Sequence, residues 1–173
     1  DGQSSEHLFY AAEIPLSALP IGQYVIQITV QDHVANQTSS KEVKFEVYYH
    51  NMENEDSGKL AENLKVKITM PTQAGVTQDV HTTISADNAA NTVTDVATVN
   101  LNRADAMIEY IPGSAVWKHN IGTNAAPNYV ETVVSDSIVT SGQGLVLENE
   151  KPCYNFSATV TVLARVKVPS VKV

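Results

Sequence analysis

The chain has 173 residues, enough for one large or two small domains, and an apolar share of 43% that is sufficient for a buried core. Eleven basic against nineteen acidic side chains leave a net charge of −8, which is unsuited to gripping a phosphate backbone and argues against nucleic acid as a partner. Its longest apolar runs are far shorter than the ~20 residues of a membrane-spanning helix, so no span is expected.

In chain order, the first expected element is an edge-like strand over residues 8–13, followed by a connection from Pro15 to Gly22. Tyr24, Ile26, Ile28 and Val30 then alternate with Gln27, Thr29 and Gln31, the period of a half-buried β-strand. The turn formers Asn36, Thr38, Ser39 and Ser40 lead to a further strand with Val43, Phe45, Val47 and Tyr49 on one face. The polar and acidic run over residues 50–59 interrupts this pattern, and a domain boundary is placed there. The division reads 1–50 as a partial β-sandwich block, 51–59 as an acidic linker and 60–173 as a β-sandwich with a C-terminal tail. The first block holds too few strands for a sandwich, which needs about seven. It is completed either by sequence upstream or by strands of another subunit.

Beyond the linker, Leu64, Val66, Ile68 and Met70 alternate with polar residues until Pro71, which cannot donate to a ladder. Strands are expected at 80–86 and 93–101 with a turn at 87–91, then at 107–111, 115–118, 129–133 and 144–147. A long strand over 154–168 carries Ala158, Val160, Val162, Ala164, Val166 and Val168 at even positions. After Pro169 the apolar residues move to odd positions at Val171 and Val173, a change of parity that turns the tail toward another pairing. The fold class is therefore all-β, with tandem sandwich modules of which the first is incomplete.

Two stretches resemble known families. The run I-P-L-S-A-L-P-I-G-Q-Y-V-I-Q-I-T-V-Q-D with K-E-V-K-F-E-V resembles the closing strands of a bacterial immunoglobulin-like domain, without that domain's early strands. The run S-A-D-N-A-A-N-T-V-T-D-V-A-T-V, then Y-I-P-G-S-A-V-W-K-H-N, then T-V-T-V-L-A-R-V-K-V, is similar to DUF-eleven type repeats of bacterial and archaeal surface proteins. The segment 122–129 departs from that repeat as an insertion. Both resemblances imply Ig-like sandwiches that space or assemble outside the cell, and neither supplies catalytic residues to carry over. With Asp1 preceded by no signal peptide, the leader is expected to have been removed or the chain to lie inside a longer protein.

Candidate chemistry is sparse. The five histidines are widely separated and none has metal-site spacing; there is no G-x-S-x-G elbow or phosphate loop. Glu148 and Glu150 imitate a carboxylate pair but give no reason for placement across a sugar. No enzyme activity is expected. Calcium is the one cofactor with a case, since Glu53, Asn54, Glu55 and Asp56 gather oxygens at the linker; a solvated, self-repelling linker is the favoured explanation of them. Tyr110, Trp117 and Tyr129 are candidates for stacking on a polysaccharide, against a core role for Trp117. Asn36 begins a glycosylation sequon in an expected loop, and Asn155 a second one at a strand start. Cys153 stands alone and is read as a small buried hydrophobe, with an intersubunit disulfide as the alternative. The apolar rows Tyr24, Ile26, Ile28, Val43, Phe45 and Val47, with Val171 and Val173 of the tail, are assigned to self-association. The expected function is a stalk, surface layer or filament built from like copies. The alternatives are an adhesive or carbohydrate-binding module, or an accessory domain of a larger secreted protein.

Overall fold

The computed structural model describes residues 9–11, 25–29 and 42–168. Eleven strands are present among them: β1 (Phe9–Ala11), β2 (Val25–Thr29), β3 (Glu42–Tyr49), β4 (Lys65–Thr69), β5 (Thr77–Ser85), β6 (Val93–Asn100), β7 (Met107–Tyr110), β8 (Val116–Asn120), β9 (Tyr129–Val133), β10 (Leu145–Val146) and β11 (Ala158–Lys167). One short helix, α1 (Ser137–Thr140), lies between β9 and β10. A seven-stranded sheet runs β1-β2-β3-β11-β8-β9, with β7 also pairing β11; a four-stranded sheet runs β10-β4-β5-β6. All of these strand pairs are antiparallel. Both sheets contribute to one apolar core, so the described chain is an all-β, two-sheet structure.

The centre of the large sheet follows from two alternating sequences. In β3 Val43, Phe45, Val47 and Tyr49 are buried, and in β11 Ala158, Val160, Val162 and Ala164 are buried. The register sets Val43 opposite Ala164, Phe45 opposite Val162, Val47 opposite Val160 and Tyr49 opposite Ala158. Large rings thus face small side chains across the strand pair, which fills the layer without forcing rotamers. The facing layer comes from Leu64, Val66 and Ile68 with Val80 and Ile84. Side-chain hydrogen bonds also join the sheets: Gln78 of β5 accepts from the Ile108 amide of β7 at 3.3 Å.

This arrangement corrects the expectation that Val43, Phe45 and Val47 present an apolar row to a neighbouring subunit. Phe45 is only 2% exposed, and its own chain covers it. Residues 42–49 and 158–167, read from sequence as parts of separate blocks, are neighbouring strands of one sheet. The alternation correctly marks one face as buried; it carries no information on which segment does the burying. Ile26 and Ile28 lie in β2, in register with Val47 and Phe45. Tyr24, Val171, Val173 and Asn36 fall outside the described residues.

The Y-I-P-G-S segment has a structural task. β7 and β8 occupy the same side of β11 end to end, with Ile111 to Ala115 opposite Val162 and Leu163. Pro112 has no amide to give, and Gly113 takes φ 77°, a conformation that side chains resist. The hydroxyl of Ser114 fills the gap: it accepts from the Leu163 amide at 3.0 Å and donates to the Leu163 carbonyl at 3.3 Å. Asp136 holds the turn from outside, accepting from the Tyr110 hydroxyl at 2.6 Å and the Gly113 amide at 2.8 Å. These two bonds, Tyr110 first, hold the Asp136 carboxyl below the usual carboxylate range.

Candidate functional site

The residues singled out from sequence are dispersed. Glu53 pairs with Lys59 at 3.2 Å, and Glu55 accepts a hydrogen bond from Asn124 Nδ2, so two of the four oxygen donors expected for calcium already have protein partners. Glu55 and Asp56 belong to a 3-10 turn. Among the described residues no three His, Cys, Asp or Glu side chains group as a metal ion would require. Tyr110 is buried against Asp136, and Trp117 is only 6% exposed. The indole of Trp117 donates to the Tyr49 hydroxyl at 2.8 Å, and His119 stacks on it with ring centroids 3.5 Å apart and 9° between planes. Tyr129 is exposed, and its hydroxyl donates to the Asn155 carbonyl at 2.9 Å. The three aromatics therefore do not form a shared stacking platform, because the indole sits in the core beneath an imidazole. Asn155 spends its amide on Asn124, donating to the carbonyl at 3.0 Å and to Oδ1 at 2.8 Å. Cys153 is half-buried rather than buried, and its thiol donates to Asn124 Oδ1 at 3.2 Å.

What the fold does assemble is centred on Glu150. The segment 147–153 is stitched to both ends of the connection between β3 and β4. Glu150 and Ala61 exchange backbone hydrogen bonds of 2.9 Å each, the Leu64 amide donates to the Glu148 carbonyl at 3.1 Å, and the Cys153 amide donates to the Asn51 carbonyl at 3.1 Å. The Asn51 side chain adds bonds to the carbonyls of Lys59 at 2.9 Å and Glu150 at 3.3 Å. Gly144 permits the approach to β4: it sits at φ 75°, and a Cβ there would meet the Val66 carbonyl at 2.5 Å. These ties draw the Glu150 side chain inward until the residue is 7% exposed.

Two cavities share Glu150 in their walls. One, of 120 Å³, lies at the end of the sandwich and is lined by Tyr49, His50, Leu64, Ile84 and Val93 with Glu150. The other, of 230 Å³, is lined by Trp117, His119, Glu148, Lys151 and Phe156 with Glu150. Glu150 Oε1, His50 Nδ1 and His119 Nδ1 are buried without a hydrogen-bond partner, and each belongs to a residue of these linings. Burial pushes the Glu150 carboxyl up to about 8, and the negative charge of Glu148 adds to the rise. Burial also lowers both imidazoles, in His119 against an upward pull from Glu148. At neutral pH the site therefore holds a protonated carboxylic acid and neutral imidazoles, groups that can donate to or accept from a small polar guest.

Sequence reasoning considered Glu148 and Glu150 only as an opposed pair across a sugar. The structure brings both to one cavity, yet from a single segment. Nothing in the local pattern E-N-E-K marks the second glutamate as buried, because its burial comes from contacts with 51 and 61, distant in the chain. The chain matches no protein-family model, no curated protein and no solved structure.

Proposed function

We propose that this chain is an extracellular structural module of the Ig-like kind, which associates with copies of itself through open sheet edges. The reading draws on the likeness of its Y-I-P-G-S turn and long closing strand to surface repeats. The observation that carries it is the state of two edges. β9 ends the large sheet and β6 ends the small one, with no strand beyond either among the described residues. Neither edge is shielded in the manner usual for a free monomer. β9 has Glu131 as its only charge, while Val133 is 68% exposed and Tyr129 41%. β6 runs for eight residues, with Asp95 its only charge and Val96 exposed. Unpaired backbone donors and acceptors beside exposed apolar side chains are a template for adding a strand.

Sedimentation of the whole chain across a concentration series, with electron microscopy of the concentrated material, tests this. Association or ordered fibres are expected, and Val133→Lys should weaken them by at least roughly tenfold through charge placed on the edge. A chain that stays monomeric throughout, or a V133K variant that assembles unchanged, counts against it. Polysaccharide binding has weaker support, because the indole that would lead it is enclosed.

A further inference from the structure

We infer that the cavity shared by Glu148, Glu150, His119, Trp117 and Phe156 is a binding site for a small organic ammonium ion. The inference is independent of the assembly reading. Buried polar atoms in folded proteins nearly always have partners, and clustered exceptions point to a missing one. Here Glu150 Oε1 and His119 Nδ1 are both orphaned and both belong to residues that line the cavity.

The chemistry of the walls selects the guest. Glu148 and Glu150 both line a cavity whose one cationic side chain, Lys151, lies over another of its walls, with Nζ 4.9 Å from the Phe156 ring centroid. Lys151 forms no ion pair with either carboxylate among the described residues. An ammonium group would supply the missing N–H donor to Glu150 Oε1 and could donate to the neutral imidazole of His119, while its alkyl part lies against Ile121, an exposed apolar residue of the same lining. At 230 Å³ the cavity is below the roughly 300–1,000 Å³ of sites for drug-sized molecules, which limits the guest to a few carbons. A metal ion is disfavoured, because no group of three suitable ligands converges among the described residues.

Binding would move a proton. The carboxyl of Glu150 is protonated when empty and must ionise to pair with a cation, so each bound ammonium releases up to one proton to solvent. The charged and titratable groups around it are Glu148 and Lys151 on its own segment, His119 of β8, and Tyr49, His50, Glu53 and Lys59 across the smaller cavity. Glu53 and Lys59 already pair with each other.

The test is calorimetric titration of the whole chain at neutral pH with n-butylammonium chloride and, separately, butan-1-ol as a neutral probe of the same length. Runs in two buffers of different ionisation heat measure the protons released. The ammonium ion is expected to bind at least roughly tenfold tighter than the alcohol, with proton release, and Glu150→Gln should abolish both the preference and the release. Glutamine keeps the shape and removes only the ionisable group. If E150Q does not fold, the wild-type protein decides alone: ammonium affinity must rise as pH rises toward 8. Equal affinity for the two probes, no saturation at millimolar ammonium, or binding without proton release would overturn the inference.

Discussion

Among the described residues, Glu150 is the one whose environment departs furthest from its ordinary chemistry, and that departure has a thermodynamic consequence. Its folded-state pKa of about 8 lies above the ordinary 4.5, so the native chain keeps a proton that the unfolded chain gives up. Stability associated with this group is complete below pH 4.5 and is lost as pH rises through 8, by at most about 5 kcal/mol. Wild-type Tm should decline across that window, whereas Glu150→Gln should lose much of the slope and exceed wild type at its alkaline end. Parallel Tm–pH curves for the two proteins would show that the carboxyl is not held in its neutral form. Asp136 does not confuse the measurement. Its pKa is lowered by Tyr110 and Gly113, so its contribution is present above 3.8 and disappears only as pH falls further. The sequence offers no route to this result: an E-N-E turn looks solvated, and only the distant Asn51 and Ala61 make it otherwise.

At the scale of elements, most strands were legible because their side chains alternate in chemistry as well as in space. Val43 to Tyr49 and Ala158 to Ala164 announce a buried face, and they have one. Pro71 marks the end of β4 within two residues. The turn between β7 and β8 was visible as Y-I-P-G-S, but not its purpose, since a hydroxyl standing in for a backbone partner leaves no periodic trace. Ser114 supplies the partner that the Leu163 amide otherwise lacks at the centre of the large sheet, and shares the Leu163 carbonyl with the Ile111 amide. Ser114→Ala should leave the Leu163 amide without its partner, the carbonyl keeping its 2.9 Å bond from the Ile111 amide, and cost about 1–3 kcal/mol, read as a lowered denaturation midpoint with an unchanged slope against denaturant. Ser114→Thr, which retains the hydroxyl, should recover part of the loss. An alanine variant as stable as wild type would mean that water replaces the hydroxyl at no cost.

For the whole molecule, the acidic stretch at 50–59 invites division, and the strand pairing opposes it. Composition marks where a chain is solvated; it does not reveal whether the strands on either side separate. β3 is paired to β11 over eight positions, Glu42 with Arg165 through Tyr49 with Ala158, and its apolar face lies in the same core as β4 and β5. Cutting the connection should therefore leave the two pieces together. With a protease site placed after Gly58, which lies exposed at φ 64° with open space around it, the cleaved chain should elute as one native species and melt in one transition. The fragments should part only in denaturant. Elution of separate folded pieces, or two melting transitions in the uncut chain, would restore the picture of a partial block waiting for another subunit. Retention of the pieces together would instead confine any assembly to the terminal strands of the two sheets, β9 and β6 among them, because the central strands are already satisfied within a single copy.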